Sequence, residues 1–284
     1  MKVLAANIED VFREAAARWT LIAYFCLSSI FIIIFASAVN LDVVNGALAG
    51  AKLFGNDMQV DGGALPIEKI VTGFESGFSS LLYGLSIFLA IFATAHLVPR
   101  MQDKGTIDLY LSRPVARAKL LFSRYFAGLL LAASNVLYLI TAVGLIVMWK
   151  THIVHPRFFL AGALIIFVIA ALLAFTFLIG VITSSTGVSI MTTYALFIFS
   201  VPLMAHGRME AAVSSEWTAW LIRGLYLILP KTAEIGMAVF AYVLGNNAPE
   251  QAQAALSMWP FISTALFGIG CLAIAAFTFH RKEF

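Results

Sequence analysis

The side chains able to do chemistry in this 284-residue sequence are scattered. His152 and His155 lie three apart, between Lys150 and Arg157. Two histidines could ligate a metal, but a metal site generally wants a third or fourth ligand, and none is close in sequence. A polar interfacial loop is the better reading, with no metal. The zinc helix His-Glu-x-x-His is absent, and so is the nucleophile turn Gly-x-Ser-x-Gly. Gly46 to Lys52 faintly suggests a phosphate loop, but its spacing is wrong and it lacks a Gly-Lys-Ser/Thr ending. Cys26 and Cys271 sit inside apolar runs and read as small hydrophobes. The expectation is a chain with no catalytic residue and no cofactor of its own.

Polar chemistry concentrates in one place, Pro99 to Arg124, which carries Arg100, Lys104, Arg113, Arg117, Lys119 and Arg124. Asp103 and Thr106 can start a helix beside Gly105, and Ile107, Tyr110 and Leu111 share one of its faces. Ser112-Arg113-Pro114 breaks it, and proline in a first turn suits the start of a second helix. Val115, Ala118, Leu121, Phe122 and Tyr125 carry that second helix into the next apolar run. A short helix, a corner and a rising helix make a surface that a soluble partner can push. An ordinary basic loop explains the charges but not the Gly-Thr start or the Ser-Arg-Pro corner.

The elements that position this corner are membrane helices. Sixty-one per cent of residues are hydrophobic and 12% charged, more apolar surface than a soluble chain of this length can hide. A bilayer core needs roughly 20 apolar residues per helix. The expected fold is all-α and polytopic, a single transmembrane domain over 1–284 with spans near 19–39, 77–98, 122–149, 158–183, 188–206 and 260–279. The loop 99–121 faces one side, and 207–259 faces the other as a re-entrant or surface-lying region. Asn40 to Ser76 reads as a polar, glycine-rich loop with some local helix.

Positive charge accumulates on the cytoplasmic side of membrane proteins. With both termini inside, eleven Lys and Arg are cytoplasmic and seven are outside, on much longer loops. Residues 1–18 place Leu4, Ile8, Val11, Phe12 and Ala15 at helical spacing, with Glu9–Arg13 and Glu14–Arg18 as i,i+4 pairs. An amphipathic helix on the inner surface is expected there. A cleaved leader ending near Ala36-Ser37-Ala38 is the rival, disfavoured by Glu9, Asp10 and Glu14.

No Asp, Glu or Lys falls within any expected span, which disfavours ion-coupled transport. Candidate path-lining groups are Ser28, Ser29, Ser86, Asn135, Tyr138, Thr192 and Tyr194. Such residues also serve as bonds between helices.

The stretch KGTIDLYLSRPVARAKLLFSRYFAG resembles the signature loop of ATP-binding-cassette (ABC) type-2 permeases. Asp103, Gly105, Thr106, Leu109, Leu111, Ser112, Pro114 and Arg117 match that pattern. Asp103 stands where Glu is usual and Arg124 where Lys is common, both keeping the charge. Leu227-Ile228-Leu229-Pro230 is a second, short likeness. The resemblance implies a non-catalytic permease subunit, most members being exporters, in the bacterial cytoplasmic (inner) membrane. A separate ATPase binding ATP and Mg would dock on the inner face, and a second permease, identical or related, would pair with this one. It implies a coupling segment of Asp103, Gly105, Thr106, Asp108, Leu111, Ser112, Arg113, Pro114 and Arg117, and a second contact at Ser184, Ser185 and Thr186. The alternatives are a carrier or channel working without an ATPase, and a membrane scaffold subunit.

Overall fold

A computed structural model describes Arg13 and residues 20–44, 47–53, 56–57, 67–102, 116–151, 155–213, 215–245 and 248–282. The fold is all-α and polytopic. α1 is Thr20–Ala38, α2 Ile67–Thr94, α3 Leu97–Met101, α4 Arg117–Thr151, α5 Pro156–Thr183 and α6 Thr186–Leu203. Then come α7 His206–Ala212, α8 Glu216–Ile228, α9 Thr232–Leu244, α10 Glu250–Ala254 and α11 Met258–Arg281. Residues 1–18, expected as a surface helix, lie outside the described residues apart from Arg13.

One loop departs from helix. Val39–Val44 (β1), Ala47–Leu53 (β2) and Asn56–Asp57 (β3) pair antiparallel in the order β1-β2-β3, with a register shift between Asp42 and Val43. The local helix expected between Asn40 and Ser76 is present from Ile67, where α2 begins, and these strands precede it. Val39, Val43 and Val44 are β-branched, and Gly46, Gly50 and Gly55 are poor helix formers, so strand pairing is the better use of this backbone.

The apolar helices define the membrane body. Among the described residues, five stretches are long and apolar enough to cross a bilayer: Glu75–Met101, Arg117–Lys150, Pro156–Thr183, Thr186–Leu203 and Met258–Arg281. Ile22–Ser37, within α1, is a shorter apolar helix. α8 and α9 together form a further candidate, bent by 60° at Leu229-Pro230-Lys231. Proline here has no N–H to donate and its ring clashes with the preceding turn, which accounts for the break.

α5 is the hub, packed against α2, α4, α6, α9 and α11. Its sequence is apolar all round, as a helix enclosed on every side requires. Ile165, Val168, Leu172 and Val181 are fully buried. α11 approaches α5 closely at Gly268, where an added Cβ would sit 3.2 Å from the Cα of Ala171. The outer helices keep large apolar side chains on the surface, among them Ile33 on α1, Met191 and Ile198 on α6, and Leu266 and Ile269 on α11. A water-soluble protein does not carry such surface; lipid accepts it.

α9 lies in the region 207–259, expected as re-entrant or surface-lying. Ile235, Ala238, Val239, Ala241 and Val243 are buried against α2 and α5, so the second limb of the bent pair lies inside the bundle. The first limb, α8, has no buried residue.

Candidate coupling surface and interior polar groups

Four chain segments converge at one end of the bundle. They are the end of α3, the start of α4, the α5–α6 link and the residue after α11. Of the expected coupling residues, Asp103, Gly105, Thr106, Asp108, Leu111, Ser112, Arg113 and Pro114 lie outside the described residues. The flanks, Gln102 and Ala116 onward, are described.

Arg117 opens α4. Its Nη1 donates to Lys282 O at 2.8 Å and to His280 O at 3.4 Å. These carbonyls belong to the end of α11, where unpaired helix carbonyls attract a cation. So Arg117, expected to present its guanidinium to a partner, also spends donors inside the chain.

The link between α5 and α6 is built on Ser184 and Ser185. Ser184 takes a left-handed backbone with φ of 52°, and its N–H donates to Gly180 O at 3.0 Å, closing α5. That position favours glycine, and a side chain there costs about 1–2 kcal/mol. Ser184 Oγ donates to Gln102 Oε1 at 2.8 Å. Ser185 Oγ accepts from Val188 N–H, the usual N-cap bond for the helix that Thr186 begins.

Lys282 ties these segments together. Its Nζ donates to Gln102 Oε1, Val181 O and Ser184 Oγ, each at 2.7 Å. Gln102 Nε2 donates in turn to Gly180 O at 3.0 Å. Partial burial lowers the Lys282 ammonium from its ordinary value. Neither Lys282 nor Gln102 stood out in the sequence, since a lone Gln and a lone Lys beside charged neighbours carry no pattern.

The candidate path-lining residues do not form one cluster. Ser28 Oγ donates to Asn135 Oδ1 at 2.9 Å, and Ser29 Oγ lies 2.8 Å from Tyr138 Oη, so both pairs bind α1 to α4. Tyr194 Oη donates to Phe88 O at 2.7 Å, and its ring stacks on Phe88, joining α6 to α2. Thr192 Oγ1 turns back to Val188 O within its own helix. Ser86 is fully buried on α2, and its Oγ, like Tyr24 Oη and Asn135 Nδ2, has no hydrogen-bond partner among the described residues.

A second polar centre was not foreseen. At the α8–α9 bend, Lys231 is 3% exposed. Its Nζ donates to Tyr226 O at 3.0 Å and to Ser263 Oγ at 2.5 Å, and lies 4.4 Å from the centre of the Tyr226 ring. Thr264 Oγ1 accepts from Lys231 N–H, Ser200 Oγ meets Thr232 Oγ1, and Tyr83 Oη donates to Thr232 O. The bend frees backbone groups, and hydroxyls from α2 and α11 satisfy them, as buried backbone requires. A cavity of about 560 Å³ opens beside it, with His206, Arg208, Tyr226 and Glu234 in its wall.

Glu75 also departs from expectation. It lies inside α2, is 3% exposed, and begins one of the candidate spans. Its Oε2 is 2.9 Å from His155 Nδ1. No group of three or more His, Cys, Asp or Glu able to hold a metal occurs among the described residues.

The family model described as ABC-2 family transporter protein matches residues 16–284. No curated protein matches the chain.

Proposed function

Because the chain belongs to the ABC-2 transporter family, we propose that it is the non-catalytic permease subunit of an exporter driven by a separate ATPase. The observation that carries this reading is the convergence at one end of the bundle. Gln102 and Arg117, which flank residues 103–115, meet the α5–α6 link at Ser184 through Lys282. Two loops that are to be engaged by one soluble partner must share one face, and the flanking residues Gln102 and Arg117 support this by meeting the α5–α6 link, Gln102 directly and Arg117 through Lys282. ATP and Mg bind in the partner. The convergent face is cytoplasmic, as are both termini, and the membrane is the bacterial inner membrane. Asp103, Gly105, Thr106, Asp108, Leu111, Ser112, Arg113, Pro114 and Arg117 form the first docking segment, and Ser184, Ser185 and Thr186 the second.

A second permease copy, or a relative, completes the path. The large apolar side chains exposed on α6, Met191 and Ile198 among them, supply surface for that pairing or for lipid.

The test is co-purification. The chain, extracted in detergent, is expected to bring down an ATPase, encoded most simply by an adjacent reading frame with a phosphate loop. The isolated chain is expected to hydrolyse no ATP. Robust turnover by the isolated subunit, or uptake into liposomes driven by a pH gradient alone, overturns the reading.

The pair of a buried Glu75 with a partly exposed His155 favours a second reading, a carrier that works without an ATPase. An ionisable group at membrane depth can take up and release a proton as it moves. Its position at the edge of a candidate span weighs against this.

A further inference from the structure

Lys282 stands where a coupling element needs a rigid joint. An ammonium has three N–H donors. All three are used here, on acceptors from three segments: Gln102 at the end of α3, Val181 in the last turn of α5, and Ser184 in the α5–α6 link. The backbone carbonyl of the same residue accepts from Arg117 at the start of α4. One residue beyond α11 therefore touches both flanks of the 103–115 segment and the 184–186 link.

The chemistry of the joint is directional. Gly180 and Val181 expose their carbonyls at the C-terminal end of α5, where the helix dipole is negative and cations are favoured. Gly180 O takes Gln102 Nε2–H and the Ser184 N–H, and Val181 O takes the Lys282 ammonium. Gln102 Oε1 accepts from both Lys282 and Ser184. Removing the ammonium would leave Gln102 and Ser184 bonded to each other but detached from α11.

Stiffness of this kind carries force. Charge-assisted bonds are stronger than neutral ones, and a network moves as a unit when every member is satisfied. α11 is continuous from Arg281 back to Met258, and Lys282 N–H is bonded to Thr278 O at 3.0 Å in its last turn, so a push at one end reaches the other. Its close seat on α5 at Gly268 keeps the two helices together along the way.

We propose that Lys282 is a positioning residue for transport, a strut that joins both flanks of the 103–115 segment and the 184–186 link to α11. Movement imposed on either loop by a docked ATPase is thereby passed to the far end of α11. This inference rests on the permease reading.

The experiment uses the full chain in nanodiscs with the ATPase that co-purifies with it. Cys26→Ser and Cys271→Ala remove the native thiols. Met258→Cys, exposed at the opposite end of α11, reports through its rate of reaction with an impermeant maleimide. With Mg-ATP and vanadate, the reporter rate in the otherwise unchanged chain is expected to shift by at least about fivefold, the lower range of ordinary allosteric coupling. Lys282→Met keeps the stem and removes the donors. It is expected to abolish that shift while the amount of ATPase bound per permease stays constant, and Lys282→Arg is expected to restore part of it. Gln102→Met, which removes the shared acceptor, is expected to reproduce the loss and decides the matter if Lys282→Met fails to fold.

A full nucleotide response in Lys282→Met, or in Gln102→Met, overturns the strut. So does a lysine whose loss only lowers thermal stability and ATPase binding together, with the response per bound ATPase unchanged. Failure of any ATPase to bind the chain with Lys282 intact overturns the permease reading instead.

Discussion

Glu75 Oε2 lies 2.9 Å from His155 Nδ1, joining α2 to the residue that precedes the first turn of α5. The carboxylate is nearly fully buried, and the imidazole keeps partial access to solvent. A buried charge that loses its partner is strongly destabilising, whereas replacing both partners costs far less.

His155→Ala is therefore expected to destabilise the detergent-solubilised protein by roughly 1–3 kcal/mol, a group left buried and unpaired. Glu75→Gln with His155→Ala should recover most of the loss. The measurement is thermal unfolding of the two single variants and the double. Additive losses would mean that the two groups do not interact.

Lys231 offers a similar test at the α8–α9 bend. Lys231→Met retains the apolar stem and removes the donors to Tyr226 O and Ser263 Oγ. The expected loss is about 1–3 kcal/mol, because buried acceptors lose their bonds. Arg208→Ala, at an exposed position, is the control and should change stability by less than about 0.5 kcal/mol. Equal effects from the two would show that Lys231 matters only as a charge.

Sidedness is tested by labelling. Cysteines at Asp61 and Gln251 are expected to react with an impermeant reagent added outside intact cells, and one at Lys104 is not. The motivation is the surplus of Lys and Arg on the shorter, inner loops. Outside labelling at Lys104 would reverse the orientation.

Docking is tested with the arginines. Arg113→Ala with Arg117→Ala is expected to leave insertion and permease pairing intact and to weaken ATPase binding or abolish substrate-stimulated turnover. Lys at both positions supplies the charge without the planar fork. Full recovery with Lys would assign these residues to membrane sidedness alone, and full transport activity in the double-alanine variant would remove the loop from coupling. The bond from Arg117 to Lys282 O adds an expectation: Arg117→Ala alone should loosen the end of α11, seen as faster amide exchange there.

The sequence by itself determined the class of this protein. Long apolar runs admit only membrane helices or a buried core, and a chain this apolar leaves the first. The family resemblance of the loop from Asp103 to Arg117 is likewise local wording, because its glycine, proline and charges sit close together in the chain.

Only the tertiary structure decided which polar groups meet. Lys282 and Gln102 are 180 positions apart, and Lys231 and Ser263 are 32 apart. Glu75 lies in α2 and His155 just before α5, so their pairing leaves no periodic trace. The same holds for Ser28 with Asn135 and Ser29 with Tyr138, which the sequence offered as path-lining groups and the fold uses to bind α1 to α4. A hydrogen bond is read by distance, and distance between far-apart residues is created by packing. Hydropathy reports only whether a segment is buried in lipid or protein, so it could place α9 in an apolar environment but not between α2 and α5.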